Sequence, residues 1–482
     1  MSSLRAKVGI QFLVSNGATA AQFGLSIILA RLLSPSEVGI FSITAVVVGF
    51  THVFRDFGVV SFIKRQKTLT PDVLMAASGV LYTSSWSIAL LLYLSSGFWA
   101  NYFGQPGIRD IMPVLALGFV FIPFGAVPQA VLSRDMDVNK TASVTVLATA
   151  VYICTCISLA YLGFSYMSMA WANLANIVVS GIAFTFLMPK GLPQRPGFTG
   201  WKKVVQFGTG AILTSSLRAI DAALPDILLG KLSGPHAVGI FSRANSTVNI
   251  LNTLTGPTVQ YFALPYLAKV HHQGDNLGNE IGRTAAYLTG LIWPALIATA
   301  FMASDLIRFL YGPTWVESAS VVPWLCVIAA IQVSFSVIHP ALTGMGRPYL
   351  TAIPFAVVVL AKVGLALALF DGNIQTFGKA VAIAECCTVP AYLFLSHRIL
   401  GLSPLGWLRW IRPSLWLVLI TTVQIGVLHW LLPAIDLPFF RLLVAGLWIG
   451  AGWLAAVMLL KHPLHLEIKA LVAKVRMARR VG

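Results

Sequence analysis

The sequence predicts an all-α polytopic membrane protein with about 14 transmembrane helices, built as two pseudo-symmetric six-helix bundles plus two C-terminal helices. Three observations predict it. The first is composition: 57% of the 482 residues are hydrophobic and 10% are charged, against about 25% charged in ordinary soluble domains, and the mean hydropathy is +0.81. A soluble fold would leave large apolar patches facing water, so a soluble enzyme, a nucleic-acid-binding protein and a disordered chain are all excluded. The second is that apolar windows of about 20 residues, enough to cross a bilayer, recur along the whole chain. The third is a repeated sixteen-residue pattern.

The windows lie near 8–30, 38–56, 73–95, 111–132, 142–163, 169–188, 205–229, 238–262, 285–303, 318–339, 349–370, 377–396, 414–432 and 440–460. The first is too long for a signal-peptide apolar region and Arg31 follows it, so it is read as a span. With the N-terminus inside, the inner segments carry 23 Lys and Arg and the outer segments 6, while Arg55, Arg218, Arg243 and Lys362 sit within spans. That bias places both termini in the cytoplasm, provided the number of spans is even. It also accounts for the net charge of +17 without nucleic acid, through basic loops facing anionic lipid. Trp201, Trp407 and Trp410 accompany basic residues and read as interfacial anchors. The five Cys all fall in apolar runs without metal-ligand spacing, so no disulfide framework, metal or cofactor is indicated.

Residues 27–42 read IILARLLSPSEVGIFS and residues 227–242 read ILLGKLSGPHAVGIFS, nine identities in sixteen at an offset of 200. Pro35/Pro235 and Gly39/Gly239 are in register. Six windows separate the copies, so both have the same orientation, as in parallel repeats related by an axis along the membrane normal. The expected organisation is a lobe over 1–188, a Pro- and Gly-rich linker over 189–203, a second lobe over 204–397, and two extra helices with a basic tail over 398–482. Two such bundles flanking a cavity suit alternating access.

Charges within a bilayer are costly and face a cavity or a partner. In the seventh window Thr214, Arg218, Asp221 and Pro225 share one helical arc, with Asp226 further along. Arg218 and Asp221 either neutralise one another or line a cavity whose Arg attracts an anionic head group. Asn245, Asn249 and Asn252 in the eighth window suit sugar hydroxyls and equally suit helix–helix hydrogen bonds; Arg243 points to the other side of that helix. Gln11, Ser15, Thr19, Gln22 and Ser26 form a polar stripe on the first window, read as cavity lining. Arg55 and Asp56 end the second window, as an interfacial ion pair or a phosphate contact. Lys362 and Glu385 lie deep in neighbouring windows, as a buried pair or a proton-coupled group. Pro113, Pro123, Pro128, Pro257, Pro294, Pro323, Pro354 and Pro390 fall within windows, a density that fits moving helices.

ILARLLSPSEVGIFSI and Arg55-Asp56-Phe57-Gly58 resemble segments of the Wzx-type oligosaccharide flippases. So do residues 226–230 with 238–242, the stretch 305–315, and Gly344-Met345-Gly346-Arg347. The resemblance implies the multidrug/oligosaccharidyl-lipid/polysaccharide exporter superfamily, with inward- and outward-open states. It implies a non-enzymatic flippase moving an undecaprenyl-diphosphate-linked oligosaccharide from the cytoplasmic to the periplasmic leaflet, for exopolysaccharide or lipopolysaccharide synthesis. Its partners would be that lipid-linked oligosaccharide, membrane lipids, and a polysaccharide polymerase with its chain-length machinery. The chemistry of the residues adds Arg218, Arg243, Arg55 and Lys362 as diphosphate contacts. It adds Gln11, Ser15, Thr19, Gln22, Asn245, Asn249 and Asn252 as cavity and sugar contacts, and Asp221, Asp226 and Glu385 as coupling groups. The alternative is a cation-coupled drug or metabolite antiporter of the same superfamily, which would need an acidic cavity. A polymerase or ligase would carry a sizeable outer loop, whereas the longest here is near Ser304–Glu317.

Overall fold

A computed structural model describes residues 2–56, 58–66, 68–189, 195–250, 267, 277–431 and 438–470. Among them every regular element is helical, as backbone in a bilayer requires: each N–H and C=O must be satisfied within its own segment. Among the described residues eleven helical stretches are long and apolar enough to span a membrane. The other three windows fall on α2 (Pro35–Asp56), α8 (Trp201–Leu232) and α9, described over 235–250. The protein is therefore a multi-pass membrane protein.

Its contacts divide into two units, Met1–Ser242 and Arg243–Gly482. The first contains α1 (Ser2–Leu32), α2, α3 (Val59–Arg65), α4 (Pro71–Phe103), α5 (Gly107–Arg134), α6 (Val138–Tyr161), α7 (Met167–Leu187), α8 and the start of α9. Its core joins α3, α4 and α5 to the start of α8 through Val59, Ile63, Leu74, Leu81, Val131 and Val204. α5 stays one helix of 28 residues although Pro113, Pro123 and Pro128 lie inside it. It packs on α4 and α7, and at Gly125 a Cβ would lie 2.7 Å from the Gly181 backbone; Thr185 of α7 donates to the Phe124 carbonyl at 2.9 Å. Neighbouring helices thus re-satisfy the backbone that proline frees.

α2 starts on a capping box legible in Ser34-Pro35-Ser36-Glu37. The Glu37 carboxylate accepts from the Ser34 N–H at 2.7 Å and from its hydroxyl at 2.8 Å, and Ser165, between α6 and α7, donates to the other carboxylate oxygen. At this end the two repeat copies meet. A Cβ on Gly39 would fall 1.7 Å from the Pro235 carbonyl oxygen, and one on Gly239 would fall 1.9 Å from that of Pro35.

The second unit contains α10 (Leu277–Phe301), α11 (Ala303–Tyr311), α12 (Val322–Phe335), α13 (Ile338–Gly344), α14 (Ala352–Leu369), α15 (Ile374–Cys386), α16 (Val389–Leu400), α17 (Pro404–Leu431) and α18 (Pro438–Leu459). Two windows read as single helices are broken. That near 377–396 divides before Val389, with Pro390 in the first turn of α16. That near 318–339 holds α12, which starts at Val322 with Pro323 in its first turn, and the beginning of α13. Proline is tolerated there because first-turn N–H groups have no intrahelical acceptor. Trp407 is not an interfacial anchor: it is 3% exposed in a core with Leu342, Leu395 and Leu402. Trp410 packs on Gly282, where a Cβ would lie 2.2 Å from the indole.

The two C-terminal spans are fastened to α10 and α11 by polar groups. Arg441 of α18 pairs with Asp305 of α11 at 3.2 Å. At the other end Thr289, Ser414 and His462 are fully buried. The Thr289 and Ser414 hydroxyls are 2.8 Å apart, and His462 Nε2 is 3.1 Å from Ser414 Oγ. The Leu464 N–H donates to His462 Nδ1 at 3.2 Å, so the ring is neutral with its proton on Nε2. Burial lowers its pKa from 6.5 to about 4. Because the folded value is depressed, the unfolded chain takes up a proton first as pH falls from 6.5 toward 4, and stability is lost over that window. We expect the melting temperature of the purified protein to drop between pH 7 and pH 5, and to drop less in His462→Asn. An equal drop in both would show that other groups carry the acid sensitivity.

Candidate functional site

The first unit contains a half-open cavity of about 550 Å³ lined by polar and apolar side chains, within the range of small-molecule sites. Helical periodicity assembles it. α7 presents Asn173, Asn176 and Ser180 on one face, α6 presents Thr145 and Thr149 one turn apart, and α5 contributes Phe119 and Gln129. α1 contributes Gln22, and the last turns of α2 contribute His52 and Arg55. Asn176 is fixed by donating to the Ala148 carbonyl at 2.8 Å.

Arg55 is the charged residue of this lining, and no carboxylate occurs among the described lining residues. Its Nη1 lies 2.6 Å from His52 Nδ1. A guanidinium only donates, so Nδ1 accepts and the imidazole carries its proton on Nε2. The guanidinium sits 5.9 Å over the Phe119 ring, which lies 4.7 Å from the His52 ring. Ser84 of α4 donates to the Arg55 carbonyl at 2.9 Å. The site thus offers one delocalised cation, held against an aromatic face, amid amides and hydroxyls. That combination suits an anionic group joined to a hydroxyl-rich one.

Of the other described residues singled out in the sequence, only Gln22 reaches this cavity. Gln11 and Ser15 are exposed, and the Thr19 hydroxyl bonds the Ser15 carbonyl of its own helix at 3.0 Å. Arg218 is exposed on α8, with Asp221 and Asp226 half-buried on the same helix. Asn249 donates to Asn245 at 2.7 Å. Arg243 is 6% exposed, with its guanidinium 5.8 Å over Tyr311 and 5.4 Å over Trp315, while Thr247, one turn on, lies 3.3 Å from the Tyr311 hydroxyl. Lys362 and Glu385 are 5% and 4% exposed on α14 and α15, which pack together. Asn252, Pro257 and the tail beyond residue 470 lie outside the described residues, as do the side chains of Thr214 and Asp56. The reading of the sequence missed His52, Gln129, Thr145, Thr149, Asn173, Asn176 and Ser180. The spacing of Asn173, Asn176 and Ser180 was the available signal.

A family profile described as "Polysaccharide biosynthesis protein" matches residues 28–320, more than half of the chain. The chain belongs to that family. The chain is 20% identical over 324 residues to the lipopolysaccharide biosynthesis protein WzxC of Escherichia coli (strain K12), a match spanning 65% of each chain. It is 22% identical over 396 residues to the succinoglycan biosynthesis transport protein ExoT of Rhizobium meliloti (strain 1021), covering 81% of this chain and 79% of that one. Among solved structures it resembles the lipid II flippase MurJ in an inward closed conformation, with a TM-score of 0.73 at 14% identity, over 93% of this chain and 98% of MurJ. It also resembles an inward-facing multidrug resistance MATE transporter of the MOP superfamily, with a TM-score of 0.57 at 15% identity, over 81% and 94%. The polysaccharide family agrees with the resemblance to Wzx-type flippases that the sequence motifs carry.

Proposed function

We propose that this family member is a non-enzymatic flippase of the bacterial inner membrane. It moves an undecaprenyl-diphosphate-linked oligosaccharide from the cytoplasmic to the periplasmic leaflet by alternating access of lobes 1–188 and 204–397, both termini being cytoplasmic. The observation that carries this reading is the cavity in which Arg55 sits among amides and hydroxyls, with no carboxylate among its described lining residues. Arg55 takes the diphosphate; Gln22, Gln129, Asn173 and Asn176 take sugar hydroxyls. Arg218, exposed on α8, is a second phosphate contact. Arg243 and Lys362, both buried, serve packing in their own unit, and Glu385, buried on α15, is the carboxylate best placed for proton coupling. A cation antiporter would want acidic groups where the described lining residues offer none.

The test is reconstitution of the whole protein in liposomes with a fluorescent undecaprenyl-diphosphate-linked glycan, with and without a pH or sodium gradient. Protein-dependent exposure of the glycan on the opposite leaflet is expected. Extrusion of organic cations without glycan movement would replace this reading by the antiporter. The homologous roles of WzxC and ExoT in lipopolysaccharide and succinoglycan production support a polymer-building partner machinery downstream.

A further inference from the structure

His52 is a residue that neither charge nor motif marks, yet it touches both features that define the cavity. It lies one helical turn before Arg55, its Nδ1 is 2.6 Å from Arg55 Nη1, and its ring packs 4.7 Å from Phe119, the ring that also lies under the guanidinium. An arginine side chain is long and rotamer-rich, and immobilising it on binding weakens affinity unless the free protein already holds it in place. Two of its contacts bear on this here. Phe119 sets the height of the guanidinium plane, and the Nδ1 acceptor sets its rotation. Rotation matters because the planar fork meets two phosphate oxygens only when its plane contains them.

We propose that His52 is a positioning residue for Arg55: its Nδ1 acceptor fixes the guanidinium in the orientation that receives the diphosphate of the cargo. This rests on the reading of Arg55 as the diphosphate contact. The role needs an acceptor at the Nδ1 position. It does not need a ring or a charge. Asparagine places its carbonyl oxygen close to where Nδ1 lies, glutamine places it near the Nε2 position, and leucine keeps the bulk with no acceptor.

The experiment measures binding of undecaprenyl diphosphate to the full chain in nanodiscs, with melting temperature recorded for every variant. His52→Leu is expected to bind about tenfold more weakly, equivalent to about 1.4 kcal/mol, and His52→Gln nearly as weakly. His52→Asn is expected within about threefold of the parent, a rescue that loss of packing would not produce. Arg55→Gln separates the two readings. If Arg55→Gln binds weakly and His52→Leu binds like the parent, or His52→Asn fails as badly as His52→Leu, the positioning role is overturned while the diphosphate site stands. If Arg55→Gln binds like the parent, the site and the positioning role fall together.

Discussion

Arg55→Gln is expected to cut polymer export by roughly tenfold to a hundredfold, because it removes a charge-assisted contact worth about 1.5–3 kcal/mol. The protein should still accumulate in the membrane: Arg55 is half-buried, and the helix keeps its tie to α4 through the backbone carbonyl that accepts from Ser84. Arg55→Lys keeps the charge and loses the planar fork, so it should fall between the two. The readout is polymer secreted by a deletion strain complemented with each variant, normalised to protein in the membrane fraction. Arg243→Gln is the contrasting control. Its guanidinium is buried over Tyr311 and Trp315, so its loss should lower abundance together with export. Normal export by Arg55→Gln would remove the cavity of the first unit from the transport path.

The contrast between these two arginines marks what the sequence could disclose. An ionised group in an apolar window is costly wherever it points, so Arg55, Arg243, Lys362 and Glu385 were all visible as exceptional. Whether each faced a cavity or a packed neighbour was not, because burial against an aromatic ring and exposure to a wet chamber leave the same mark on the sequence. Uncharged polar residues were harder. Asn173, Asn176 and Ser180 stand in an apolar run where amides serve helix packing as readily as ligands, and His52 is one neutral ring among apolar neighbours. The polar stripe on α1 was read as uniform lining, yet only Gln22 reaches the cavity. Thr19 satisfies its hydroxyl on its own helix, an option open to any Ser or Thr in a helix.

The span pattern was legible because composition dictates it. The windows read as α2 and α8 carry charges at the functional and repeat segments yet form helices of 22 and 32 residues. What failed was treating every proline within a window as a helix interior. Pro323 and Pro390 begin helices, so they mark joints between short helices, and part of the proline density read as moving helices is chain punctuation.

The repeat offers the sharpest structural test. Pro35 and Gly39 oppose Gly239 and Pro235, so each copy presents to the other the same pair it receives. That is the relation a local two-fold produces, residue i meeting j while j meets i. It gives a physical reason for proline and glycine to be among the identities at an offset of 200: the helix starts touch through backbone, and no Cβ fits. Gly39→Ala would place a methyl 1.7 Å from a carbonyl oxygen, and Gly239→Ala one 1.9 Å away. Both neighbours are backbone, so relief requires the starts of α2 and α9 to separate by more than a side-chain shift. Each substitution should cost at least the ~1–3 kcal/mol of an overpacked core and lower the melting temperature by several degrees. The double variant should lose clearly less than the sum, because the separation forced by the first methyl accommodates the second. Melting curves of the two single variants and the double variant in nanodiscs decide it. Strict additivity, or alanine tolerated at either position, would show that the copies do not bear on one another.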